Sequence, residues 1–155
     1  MNKQKSKIDD ISLAHKFKEH GMRGFAIKSH FVSTAERAAV VRKIVPEIDA
    51  VGTIVLNSSS GGISPMSVEI AAREGAQLVW LPTVDAVNEQ NFRKTAGKNA
   101  KKPFWAKIQE ELIEKGIPVR TVPVVDSEGT VLSETKRVLE IMAEHDMILA
   151  TSHLS

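Results

Sequence analysis

Polar side chains able to do chemistry follow four short apolar runs of the sequence. They are Lys28 and His30, Asn57 and Ser58, Thr83 and Asp85, and His153. Two histidines from different strands would form a pair of metal ligands, with Asp85 or Glu69 as an oxygen donor. Lys28 would serve as an electrostatic or proton-transfer group.

The elements that position these side chains alternate along the chain. Apolar residues at helical spacing predict helices, and short β-branched runs between them predict strands. The predicted helices cover 8–20, 33–45, 65–75, 104–116 and 133–146, and the predicted strands cover 23–29, 50–57, 77–81, 117–125 and 147–151. This alternation predicts one α/β domain over 1–155, with a parallel sheet of about five strands and a flexible basic loop at 86–102.

A parallel sheet brings the polar strand ends together. Side chains alternate between the two faces of a strand, so Ala26, Lys28 and His30 share one side of the first strand. In parallel α/β folds the carboxyl ends of the strands form the site face. We therefore expect one polar mouth lined by residues of at least four strands.

Composition excludes several classes of function. The chain has 155 residues, 42% hydrophobic and 26% charged, with a net charge of +2 and no cysteine. This charge balance gives no basic field for nucleic acid, and no apolar run is long enough to span a bilayer. Without cysteine there is no disulfide framework, which is typical of a cytoplasmic protein. We predict a cytoplasmic protein with a small-molecule substrate and neither a nucleic-acid nor a membrane partner.

Each of these residues also has a structural interpretation. His30 could be hydrogen-bonded without binding a metal, and Lys28 could pack its stem along the sheet with its charge in water. Glu69 could be a solvated helix residue and Asp85 the start of the long loop. The basic residues of 93–102 could be solvated, or they could cover an anionic substrate. No phosphate-binding glycine motif occurs, although "SSSGGIS" precedes a helix and could bind a small anion.

Three stretches carry a resemblance to known enzymes. "GMRGFAIKSHFVSTAERA", "GTIVLNSSSGGISPMSVEIAAREGAQLVWLPT" and "VVDSEGTVLSETKRVLEIMAEHDMILATSHLS" resemble an uncharacterised family of predicted metal-dependent hydrolases, related to the amidohydrolase and PHP-type phosphoesterase (β/α) barrels. The resemblance implies a partial TIM-like barrel. It also implies a divalent metal ion, zinc, manganese or iron, bound by His30 and His153, in a pocket lined by Lys28, Asn57 and Thr83.

The sequence departs from that family in two ways. No HxH motif occurs, and five predicted strands are fewer than the eight that close such a barrel. The chain could be a fragment, could pair its sheet edges with another copy, or could be a shorter homologue with a different pocket. A homo-oligomer is our prediction.

These observations lead to two functional hypotheses. The first is a metal-dependent hydrolase acting on a small amide or phosphoester. It would be inactive if the ligand motifs missing from this sequence leave its metal site incomplete. Lys28 and Asp85 would be catalytic, and Asn57, Ser58 and Thr83 would bind substrate. The second is a non-catalytic α/β module that binds a small anion or forms oligomers.

Overall fold

The sheet of this protein has four parallel strands. The computed structural model describes residues 8–95 and 103–154. The strands, in sheet order, are β1 (Gly24–Ile27), β2 (Asp49–Val55), β3 (Ala76–Trp80) and β4 (Ile148–Ala150). All three neighbouring pairs run parallel, so the predicted α/β fold with a parallel sheet is confirmed.

Six α-helices connect and flank these strands in the described residues, together with one 3-10 turn at Ser58–Ser60. They are α1 (Asp10–Glu19), α2 (Ala35–Ile44), α3 (Pro65–Arg73), α4 (Val87–Thr95), α5 (Phe104–Glu114) and α6 (Ser133–Glu144). Local chemistry explains several of the ends. Asp9 caps α1 by accepting from the Ser12 amide at 2.7 Å, and Pro65 opens α3 where its missing N–H costs nothing. None of these helices combines the length and apolar character of a membrane span.

The apolar core lies between the helices and one face of the sheet. Ile27 of β1 and Val41 of α2 belong to one buried cluster. Ile54 of β2, Val79 of β3 and Val138 of α6 belong to a second. This burial holds β1, β2 and β3 in register, which fixes where their carboxyl ends meet.

The opposite face of the sheet is apolar and partly open. The register places Leu78 beside Ile148 and Trp80 beside Ala150 on this face, and Ile148 is 59% exposed. In a closed (β/α) barrel the corresponding face would be the packed interior. The described strands form an open sheet, which is compatible with part of such a barrel.

The predicted strand over 117–125 is wrong. This segment has no strand pairing apart from an isolated antiparallel bridge between Val125 and Val131, and β3 pairs directly with β4. Pro118 and Pro123 explain the failure, because each removes a backbone donor that a central strand needs. The segment is instead tied to the end of β3, where the Val122 amide donates to the Asp85 carbonyl at 2.8 Å.

The predicted loop over 86–102 is also wrong for its first half. Residues 87–95 form α4, and residues 96–102 lie outside the described ranges. Side-chain hydrogen bonds hold this polar helix. The Gln90 side-chain amide donates to the Val84 carbonyl at 2.6 Å, and Arg93 donates to Gln109 Oε1 of α5 at 2.7 Å. Long-range contacts therefore stabilise a helix that its apolar pattern does not indicate.

Candidate functional site

The ends of β1, β2 and β3 meet in one polar cluster. His30 follows β1, Asn57 follows β2 and Thr83 follows β3. The His30 Nδ1 atom lies 3.0 Å from the Thr83 hydroxyl, and Asn57 contacts both neighbours. The structure thus brings together three residues that the sequence places 26 or more positions apart.

Asn57 is the centre of this cluster. Its side chain is fully buried, and its Nδ2 donates to the His30 carbonyl and to the Thr83 hydroxyl, both at 2.9 Å. Its Oδ1 accepts from the Thr83 amide at 2.9 Å. Thr83 is fully buried as well. Both were predicted to bind substrate, and in this structure their polar atoms are engaged in orienting His30.

Burial favours the neutral form of His30, and Thr83 engages one of its two ring nitrogens. Burial lowers the pKa of His30, and the nearby charges of Lys28 and His153 lower it further. Its Nδ1 is engaged by Thr83, and no described residue hydrogen-bonds its Nε2. A neutral imidazole with an available nitrogen can bind a metal ion or accept a proton.

His153, three residues after the end of β4, is oriented by a carboxylate. Its Nδ1 is 2.9 Å from Glu89 Oε2 of α4, and the Glu89 side chain is only 18% exposed. No described residue hydrogen-bonds the Nε2 atom of His153 either. A carboxylate that accepts from one ring nitrogen is the usual outer partner of a metal-binding histidine. Glu89 lies in the segment that the sequence predicts as a loop, so no local pattern indicates its pairing with His153.

Lys28 supplies positive charge at the polar mouth, which is the edge of the sheet where the carboxyl ends of the strands meet. Its Nζ lies 3.9 Å from the centroid of the Trp80 ring, and burial lowers the pKa of this lysine. Within the described residues no carboxylate forms an ion pair with Lys28. Its ammonium group is therefore available to an anion or to charge that develops in a reaction.

Asp85 is buried at the base of the mouth, and each of its two carboxylate oxygens accepts a hydrogen bond. Its Oδ2 accepts from the Ser58 amide at 2.8 Å, and its Oδ1 accepts from Gln109 Nε2 at 2.6 Å. Burial raises the pKa of Asp85, while these two hydrogen bonds oppose the increase. The sequence-predicted Ser58 thus contributes its backbone amide here. Gln109 was missed because it looks like an ordinary polar position of a helix.

Glu69 lies away from this cluster. It pairs with Arg73 at 2.6 Å on α3 and with His145, just after α6, at 3.1 Å. The arrangement matches the interpretation of Glu69 as a helix-surface residue. It also provides a second carboxylate–histidine pair, outside the mouth, for comparison with the Glu89–His153 pair.

An apolar groove lies on the helix side of the sheet. Its volume is about 430 Å³, and Phe31, Val32, Met66 and Ile70 contribute to its lining. None of the predicted site residues lines it. The groove and the polar mouth are therefore different surfaces.

The donor set fits a divalent metal ion in kind but not in number. His30 and His153 each have Nδ1 held, and within 8–95 and 103–154 nothing hydrogen-bonds their Nε2 atoms, which is the arrangement of metal-binding histidines. A protein site needs at least three donors, and no group of three His, Asp or Glu side chains suited to a metal ion occurs within 8–95 and 103–154. The remaining residues of the sequence include no histidine, aspartate or glutamate.

The model of a family of unknown function, DUF6282, matches residues 2–155. No curated protein matches the chain. The family description names no activity, so the resemblance to amidohydrolases stays a prediction.

Proposed function

The chain belongs to the DUF6282 family, and from its site we propose that it is a metal-dependent hydrolase-like protein whose polar mouth acts on a small amide or phosphoester. One observation carries this proposal. His30 and His153 follow different strands of the sheet, and the charge of His153 acts on His30. The Nδ1 atom of each ring is engaged, and no described residue hydrogen-bonds either Nε2 atom. His30 and His153 would hold the ion, with zinc, manganese or iron as the candidates.

The residues of the chain would act in distinct ways around that ion. When bound, a divalent ion supplies a water of lowered pKa and polarises the carbonyl or phosphoryl oxygen of the substrate. Lys28 would stabilise negative charge that develops on the substrate, because its ammonium group has no carboxylate partner in the described part of the chain. Asn57 and Thr83 would keep the His30 ring in place.

The proposal requires a further donor. His30 and His153 supply two, and a third would come from a second copy of the chain, from other polypeptide or from the substrate. We include a homo-oligomer in the proposal for this reason, and we place the protein in the cytoplasm. A site left with two ligands would bind metal weakly and turn over slowly.

Metal titration of the purified full chain tests the proposal. We expect Zn²⁺ binding, followed by calorimetry, to be lost in His30→Ala and in His153→Ala. His145→Ala is the matched control, because His145 also pairs with a glutamate but lies outside the mouth. Equal affinity in the wild type and in both mouth variants would refute the assignment.

A second function, the binding of a small anion without metal, is favoured by Lys28 alone. Lys28 is exposed, and its ammonium group lies over the Trp80 ring without an ion-pair partner among the described residues. Inorganic phosphate should then raise the unfolding temperature equally with and without a chelator, and Lys28→Met should abolish the increase. Lys107→Met, at an exposed position of α5, is the control.

A further inference from the structure

A chain of three side chains connects α4 and α5 to the base of the mouth. Arg93 Nη1 donates to Gln109 Oε1 at 2.7 Å, and Gln109 Nε2 donates to Asp85 Oδ1 at 2.6 Å. Gln109 is only 5% exposed, and the Arg93 guanidinium lies over the Trp105 ring at 4.9 Å. We call Arg93, Gln109 and Asp85 the clasp.

The hydrogen bonds of the clasp have a single consistent orientation. Arg93 can only donate, so it fixes the carbonyl oxygen of Gln109 toward itself. The amide nitrogen of Gln109 must then face Asp85, whose Oδ1 accepts its hydrogen bond. The other oxygen of that carboxylate accepts from the Ser58 amide. Both carboxylate oxygens of Asp85 and both polar side-chain atoms of Gln109 therefore have a partner of the right kind.

The two ends of the clasp lead to the two histidines. Ser58 follows Asn57, which donates to the His30 carbonyl and engages the Thr83 hydroxyl bonded to the His30 ring. At the other end, Arg93 lies one turn after Glu89 on α4, and Glu89 bonds to His153. The same three side chains therefore support the partners of both imidazoles.

We infer that Gln109, Arg93 and Asp85 are positioning residues that hold His30 and His153 in one geometry. Asp85 in this role works through Ser58 and Gln109 and does not touch substrate. The chemical importance of that geometry rests on the proposed function. The positioning itself is independent of it, because it is a property of the metal-free protein.

An exchange of functional groups tests the inference. In the wild type, Gln109 Nε2 lies 2.6 Å from Asp85 Oδ1, so Gln109→Glu places two carboxylates face to face at that position. Arg93 still donates to the other oxygen of the new glutamate, which takes the place of Gln109 Oε1. The double variant Asp85→Asn with Gln109→Glu reverses the hydrogen bond: the new asparagine amide donates to the new glutamate, and its oxygen accepts from the Ser58 amide. Formal charge is then the same as in the wild type. Gln77→Glu, at an exposed position of β3, is the control.

The primary readout is the ring tautomer of each histidine, from long-range ¹H–¹⁵N NMR of the metal-free protein at pH 8. Gln109→Glu should change the tautomer populations of both His30 and His153, and the double variant should restore both. If Gln109→Glu does not fold, Arg93→Met takes its place and should change both histidines in the same way. A change at only one histidine, or at neither, would overturn the inference, as would failure of the double variant to restore them.

Zn²⁺ affinity is the second readout and separates this inference from the proposed function. Loss of an outer partner of a ligand weakens metal binding by roughly 10- to 100-fold, so Gln109→Glu should weaken it to that extent and the double variant should recover it. If the wild type binds no Zn²⁺ while both tautomers respond as described, the proposed function fails and the positioning role of the clasp stands.

Discussion

Asn57→Ala provides a demanding test of the polar cluster. The side chain of Asn57 is fully buried and makes two donated hydrogen bonds and one accepted bond of 2.9 Å each. Its removal leaves the Thr83 amide without the acceptor it has in the wild type. The His30 carbonyl keeps a weaker contact with the Ser59 hydroxyl at 3.2 Å.

The magnitude follows from these contacts. An orphaned buried donor costs about 1–3 kcal/mol, and each donated hydrogen bond that is lost costs about 1 kcal/mol. The expected loss is therefore about 3–5 kcal/mol of unfolding free energy, a large part of the 5–15 kcal/mol typical of a domain. Asn57→Asp should lose at least as much at pH 7, because it places an oxygen against the His30 carbonyl.

Urea denaturation followed by circular dichroism measures this loss. Asn88→Ala is the control, because Asn88 is exposed on α4 and its truncation should change stability by less than about 0.5 kcal/mol. A loss below about 1 kcal/mol for Asn57→Ala, or a loss equal to that of the control, would refute the network as described.

Three further outcomes follow from the same structure. The pKa of His30 is lowered in the folded state, so unfolding takes up a proton as pH falls below 6.5. The free energy of unfolding should therefore fall between pH 7.5 and about pH 5.5, and it should fall less in His30→Gln. Urea denaturation at the two pH values measures this difference. Gly52→Ala should cost about 1–3 kcal/mol, because the added Cβ would lie 2.8 Å from the Ala35 Cα of α2, and an unchanged denaturation midpoint would contradict that packing. Thr34→Val should cost about 2–4 kcal/mol of unfolding free energy. The reason is that the buried hydroxyl donates to the Ile27 carbonyl at 2.6 Å and accepts from the Thr53 amide at 2.8 Å. Thr34→Ser keeps the hydroxyl and should retain most of the stability.

Much of the mouth could be predicted from the sequence. The apolar runs before His30, Asn57 and Thr83 have the length and composition of buried parallel strands, and the carboxyl ends of such strands share one edge. These three residues therefore lie together in the structure as expected.

The missed features depend on long-range contacts. Glu89 and His153 are 64 positions apart, and Gln109 and Asp85 are 24 apart, so local pattern cannot pair them. The same holds for α4, whose polar sequence is helical because of contacts with other parts of the chain. The segment 117–125 has the opposite fault: its valines suggest a strand, but its two prolines cannot donate to a ladder.

The central claim is that His30 and His153 act together on one ion. Titration of Zn²⁺ into ¹⁵N-histidine-labelled protein tests it most directly, because coordination shifts the ring nitrogen that binds the metal. We predict that the Nε2 signals of His30 and His153 shift together at the same metal concentration, while that of His145 stays unchanged. A shift of only one of the two, or of His145 instead, would contradict the account.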